Sequence, residues 1–113
     1  MITIESLREF GADVDTGLAR CLGKEDFYIK MVNLGLKDPR FKGIKDELDA
    51  KNLTAAFEMA HALKGVVGNL ALTPLYEPIE EITELLRART DMDYSEIYEK
   101  IQKNYEKLLS MQS

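Results

Sequence analysis

NLTAAFEMAHALKGVVGNLAL, residues Asn52 to Leu72, is the stretch from which both the fold and the site are read. At about 100° per residue, Ala56, Met59, Ala60, Leu63, Val66, Val67 and Leu70 fall on one side of a helix, an apolar stripe wide enough to be a core face. Asn52 is a good N-cap for this helix, because its side chain can accept from an orphan backbone N–H of the first turn. The opposite side carries His61, the only histidine, with Lys64, Gly65 and Gly68 at steps of three, one and three. Phe57, Thr54 and Leu72 flank that strip.

Glycine inside a helix costs roughly 0.8 to 1 kcal/mol relative to alanine, so Gly65 and Gly68 are not there for the helix itself. The phase set by the apolar residues puts both on the histidine side. A partner could therefore approach His61 closely without meeting a side chain at the next turn. Lys64 supplies positive charge there for a doubly negative phosphoryl group.

Working outward, Ile4, Leu7, Phe10, Val14, Leu18, Cys21 and Leu22 recur at helical steps, interrupted by Gly11, Gly17 and Gly23. This predicts one or two short helices packed as a lid. From Lys24 to Leu36, Phe27, Met31 and Leu34 lie along one stripe, with Tyr28, Val32 and Leu36 beside it. Asp38 precedes Pro39, which disfavours helical geometry at Asp38 and predicts a helix end. Phe41, Ile44 and Leu48 continue helical spacing toward the polar break before Asn52.

Thr73 followed by Pro74 predicts an N-cap with proline at the first helical position. The helix after it buries Leu75, Ile79, Ile82 and Leu86 and exposes Glu77, Glu80, Glu81 and Glu84, a solvated acidic face. Pro78 predicts a slight bend or a later start. From Tyr94 the last helix carries Ile97, Tyr98, Ile101, Tyr105 and Leu108 along one face. Met31 and Met59 are expected in the core. Tyr28, Tyr76, Tyr94, Tyr98 and Tyr105 are expected half-buried with wet hydroxyls. No run alternates with period two, so the expected fold is all-α: an up-down antiparallel four-helix bundle with additional short N-terminal helices.

The chain has 113 residues, one domain by length over residues 1–113, and 45% hydrophobic with 31% charged residues places it among folded globular chains. A net charge of −5 argues against nucleic acid as the main partner. Cys21 is the only cysteine, so an internal disulfide and a cysteine-rich zinc site are both excluded, and a cytoplasmic compartment is expected. No apolar run approaches the roughly 18 residues of a membrane span, and the N-terminal residues lack an export-signal pattern.

Two readings of His61 stand at this level. One is an ordinary surface or half-buried histidine. The other is a phosphoryl acceptor, which needs a free ring nitrogen, a positive neighbour and room for an incoming active site. Metal binding lacks ligands, since no second histidine or usable cysteine set exists. Hydrolase chemistry lacks a nucleophile tied to the histidine, and GVVGN, residues 65–69, is no Walker sequence because its glycines fall at helical spacing.

AHALKGVVGNLALTPL, residues 60–75, resembles the histidine-containing phosphotransfer (HPt) domain of two-component phosphorelays. The residues that carry the resemblance are Ala60, His61, Leu63, Lys64, Gly65, Gly68, Asn69, Leu70 and Leu75. By that resemblance His61 is the phosphoacceptor, Lys64 steadies the phosphoryl group, and Gly65, with Phe57 and Gly68 beside it, admits the partner. The expected partners are receiver domains of response regulators or hybrid histidine kinases, met by a monomeric phosphocarrier. No cofactor is expected, Mg²⁺ being supplied by the receiver. Members of the family often have glycine where this chain has Ala71. A histidine kinase dimerisation domain also presents a helical histidine, but there an acidic residue typically follows it and a proline lies further along the helix. Here Ala62 follows His61 and the next proline is Pro74, so autokinase activity is not expected. A helical adaptor that keeps the bundle without phosphotransfer is the alternative.

Overall fold

The computed structural model describes residues 1–112, and they form seven helices. They are α1 (Ile4–Phe10), α2 (Val14–Arg20), α3 (Glu25–Gly35), α4 (Arg40–Asp49), α5 (Leu53–Asn69), α6 (Thr73–Arg87) and α7 (Ser95–Ser110). No strand occurs among the described residues, as the missing period-two pattern predicts. Helices α4 to α7 pack in chain order through connections at 50–52, 70–72 and 88–94. Connections this short make neighbours antiparallel. The bundle closes where the Phe41 ring of α4 stacks on Tyr105 of α7, centroids 4.2 Å apart.

Helix starts follow their caps. Asn52 accepts from the Ala55 N–H at 3.2 Å, and Thr3 and Ser6 form a reciprocal capping box at α1. At α4 Pro39 takes the capping position, and Asp38 just before it accepts from the Arg40 N–H at 2.9 Å. At α6 the cap lies one residue earlier than the sequence predicts: Leu72 takes the capping position, and Thr73 and Pro74 are already in the first turn. The helix then runs unbroken through Pro78, which is buried.

Four helix ends have a shared geometry without glycine. Leu22, Lys51, Ala71 and Arg89 have φ between 53° and 58°. At each, the N–H of the following residue returns to a carbonyl five positions back, as in Asn52 to Glu47 at 2.9 Å and Leu72 to Val67 at 3.1 Å. Such left-handed closures satisfy the last helical carbonyls and favour glycine. The glycine that the resemblance leads one to expect at Ala71 thus has a backbone reason.

The core joins bundle and N-terminal helices. Leu63, Leu75, Ile79, Ile82, Leu86, Ile101 and Leu108 are fully buried together with Leu7, Val14 and Tyr28 from α1, α2 and α3. Two short N-terminal helices form, and they pack against the turn between α5 and α6, where the Asp13 N–H donates to the Ala71 carbonyl at 2.9 Å.

On α3 the burial is the reverse of the stripe that the spacing puts first. Tyr28, Val32 and Leu36 are buried, whereas Phe27 and Leu34 are 46% and 49% exposed and Met31 is half-buried. The reason is packing: Gly17 of α2 lies against the Tyr28 ring, and the Tyr28 hydroxyl donates to the Leu70 carbonyl at 2.7 Å. Met59 is likewise only partly buried, and Leu22, with 84% exposure, leaves the apolar set. The tyrosine hydroxyls are mostly not wet. Tyr94 donates to Thr90 O at 2.6 Å, Tyr105 to Leu36 O at 2.8 Å and Tyr98 to Phe41 O at 3.4 Å, and the last two tie α7 to earlier parts of the chain.

Candidate functional site

Helix α5 fixes the site because its two faces differ. Ala56, Ala60, Leu63 and Val67 are buried, which turns His61 and Gly65 outward, both exposed. The His61 ring stacks on Phe57 one turn earlier, centroids 5.6 Å apart and planes 20° from parallel. Among the described residues no hydrogen bond or ion pair engages its nitrogens. Cys21 is buried and lies outside the cleft that His61 lines, and the Thr16 and Tyr76 hydroxyls within it donate to Asp13 and Glu80. Among the described residues no group of three metal-ligating side chains comes together.

Lys64 is half-buried one turn further on, and its Nζ lies 3.7 Å from Glu84 Oε1 on α6. Glu84 also accepts from Arg87 Nε at 3.1 Å, and the Arg87 guanidinium sits 4.9 Å from the centroid of the Phe57 ring. A continuous chain of contacts thus runs Lys64, Glu84, Arg87, Phe57, His61. Cation–π contact and ring stacking limit the rotamers of Phe57, and with them the surface against which the imidazole rests.

Gly65 and Gly68 differ. A Cβ added at Gly65 meets nothing within 4 Å, so the helix is bare there. A Cβ at Gly68 would stand 3.0 Å from Tyr76 Cε1 of α6, and the Arg20 guanidinium of α2 donates to the Gly68 carbonyl. Gly68 therefore serves close packing, which corrects its placement on a free outward strip. The Tyr76 hydroxyl donates to Glu80 at 2.7 Å, and this bond, with burial and the charge of Glu80, raises its pKa.

His61, Lys64, Gly65, Gly68 and Asn69 line one cleft of about 520 Å³ with Asp13, Thr16, Arg20, Ala71, Thr73 and Tyr76. The side-chain and backbone hydrogen bonds from Thr16, and to a smaller extent the charge of Arg20, hold Asp13 below the usual carboxylate range. Arg20 and Lys64 are the cations of the lining and Asp13 its carboxylate, while Glu84 and Glu80 reach Lys64 and Tyr76 from beside the cleft. The residues missed from the sequence are Arg20, Tyr76, Glu84 and Arg87. Each reaches the strip from another helix, so no periodicity within α5 could have found them.

No curated protein and no solved structure matches the chain. A family model does: the Hpt domain matches residues 38–111, which takes in helices α4 to α7 and leaves α1, α2 and α3 outside. Covering about two thirds of the sequence and the whole four-helix bundle, this match establishes that the chain belongs to the Hpt domain family, the phosphotransfer modules of two-component phosphorelays.

Proposed function

We propose that this protein is a relay intermediate in which His61 takes a phosphoryl group from the aspartate of one receiver domain and passes it to the aspartate of another. A ring nitrogen attacks phosphorus in line, the N–P bond forms as the P–O bond to the aspartate breaks, and the carboxylate leaves; return transfer reverses the step. The receiver contributes its Mg²⁺ and most of the charge stabilisation, so the bundle itself needs no cofactor. Lys64 compensates the charge on phosphohistidine.

The observation that carries this reading is the pairing of an unengaged, outward imidazole with the open backbone at Gly65. In this reading the protein is a phosphocarrier without autokinase activity. A receiver would rest on Phe57 and Gly65, with Gly68 at the rim. It would extend over Asn69 to Met31 and Leu34 of α3, since Asn69 also lines the groove beside those residues. Such a contact is small and transient, formed by a monomeric bundle. Among the described residues no helix is long and apolar enough to cross a membrane, and we place the protein in the cytoplasm with its receivers. The reading is tested on the protein isolated from cells: acid-labile, base-stable phosphate on wild type, lost in His61→Gln, is expected, and its absence from wild type under relay-activating conditions contradicts it.

A further inference from the structure

The end of the cleft away from His61 carries Arg20, which belongs to α2 and so lies outside the part of the chain matched by the family model. Among the described residues the guanidinium makes a single hydrogen bond, from Nη1 to the Gly68 carbonyl, and the residue is exposed. An arginine has five N–H donors in a planar fork. Here one donor anchors the fork to the end of α5, and the others remain free on the cleft side. Anchoring matters because it removes much of the entropy cost that a freely moving surface arginine would meet on forming an ion pair.

Gly68 lies seven residues beyond His61, which at 1.5 Å per residue puts Arg20 about 10 Å along the helix from the imidazole. That is too far to touch a phosphoryl group on His61, and Lys64 already stands beside it. Between the two lies the bare backbone of Gly65, where a docked partner comes closest. A partner seated there would bring a second surface group over the far end of the cleft. Asp13, the one carboxylate lining the cleft, accepts from Thr16 and feels the charge of Arg20, but among the described residues it forms neither a hydrogen bond nor a close ion pair with the guanidinium, whose remaining donors stay unfilled.

Resting on the relay reading, we infer that Arg20 is a specificity contact of the docked receiver: pre-set by the Gly68 carbonyl, it takes an acidic side chain on the receiver surface about 10 Å from the transferring phosphorus. Receivers with a carboxylate at that place are selected, and receivers with a basic or apolar group there are disfavoured. A charge at the edge of an interface acts on association and on salt dependence more than on the chemistry of the bound complex. Arg20 is thus a positioning residue and not a catalytic one.

The test compares wild type, Arg20→Lys, Arg20→Gln and Arg20→Glu in transfer from a phosphorylated receiver that labels the wild-type protein. The second-order transfer constant is expected to fall about fivefold to tenfold in Arg20→Gln, further in Arg20→Glu and least in Arg20→Lys. The differences should shrink near 1 M salt, where screening reaches about 3 Å. The lifetime of phosphohistidine in the separated protein should be the same in all four. Equal transfer constants and salt slopes in wild type, Arg20→Gln and Arg20→Glu overturn the inference and leave the relay reading intact. So do losses that track a falling melting temperature and ignore salt, which would make Arg20 a helix cap only. If wild type accepts no label from any receiver while remaining folded, the relay reading fails and this inference with it.

Discussion

Glu84 holds the Lys64 ammonium at 3.7 Å while the same carboxylate accepts from Arg87 at 3.1 Å. The lysine proposed to steady the phosphoryl group therefore has a partner before any phosphate arrives. Its side chain is 26% exposed and that of Glu84 53%, so the pair is worth no more than about 1 kcal/mol. A phosphoryl dianion on His61 competes well with a bond of that size. Glu84→Gln should raise the equilibrium fraction of phosphorylated protein, by about fivefold at most, with little change in folding stability. Titration against a phosphorylated receiver measures the fraction. A drop in phosphorylation would show that Glu84 positions Lys64 for the phosphoryl group and does not restrain it.

The two glycines of the site separate packing from docking. Gly65→Ala should stabilise the fold by about 1 kcal/mol, since alanine is the better helix former and the added methyl meets nothing. For a domain of this size that is a rise of roughly 4 to 8 °C in melting temperature. Gly65→Leu should keep the fold and lose transfer. Gly68→Ala must push the Tyr76 ring, so it should gain less stability than Gly65→Ala or lose some. Thermal melts of the three variants give the order.

Tyr28 predicts an alkaline limit. Burial, and to a smaller extent Cys21 and Asp13, push its phenol up to about 12, whereas an unfolded tyrosine titrates near 10. Between those values the unfolded chain binds fewer protons than the folded one, so stability falls as pH rises. The contribution is complete below about pH 10 and gone above about pH 12. Tyr28→Phe removes the bond to the Leu70 carbonyl and should cost about 1 to 3 kcal/mol at neutral pH. Its disadvantage should narrow above pH 10, which denaturant melts at a series of pH values will show.

Lys51 is exposed and left-handed, with φ 58°. A non-glycine residue there costs roughly 1 to 2 kcal/mol, and glycine returns part of that as chain entropy. Lys51→Gly should therefore stabilise the protein by about 0.5 to 1 kcal/mol, read as a higher urea midpoint with unchanged slope.

These closures also show what the sequence could and could not reveal. The start of α5 was legible because the Asn52 side chain has a direct hydrogen-bonding role, and the end of α3 because Asp38 stands before Pro39. Helix ends at Lys51, Ala71 and Arg89 carry no glycine, so the stop signal had to come from the break in periodicity alone. The positions of His61, Lys64 and Gly65 follow from the phase of one helix, and burial of Ala60 and Leu63 on its other side bears that phase out. On α3, two neighbouring stripes each had helical spacing. Which one is buried depended on where Gly17 and the Leu70 carbonyl lie, which is a tertiary fact. Gly68 was misplaced for the same reason, because the Tyr76 ring that covers it comes from α6. Glu84 reads as part of a solvated acidic face in the sequence, and its pairing with Lys64 and Arg87 depends on the packing of α6 against α5.

The central claim is that the outward imidazole is the phosphoryl carrier. It is tested most directly by mixing the protein with a receiver domain carrying labelled phosphoaspartate and following the label with time. Rapid appearance of label on wild type is expected, with none on His61→Gln and onward transfer when a second, unphosphorylated receiver is added. Label on His61→Gln at the wild-type rate, or none on wild type with any receiver from the same cell, would contradict it.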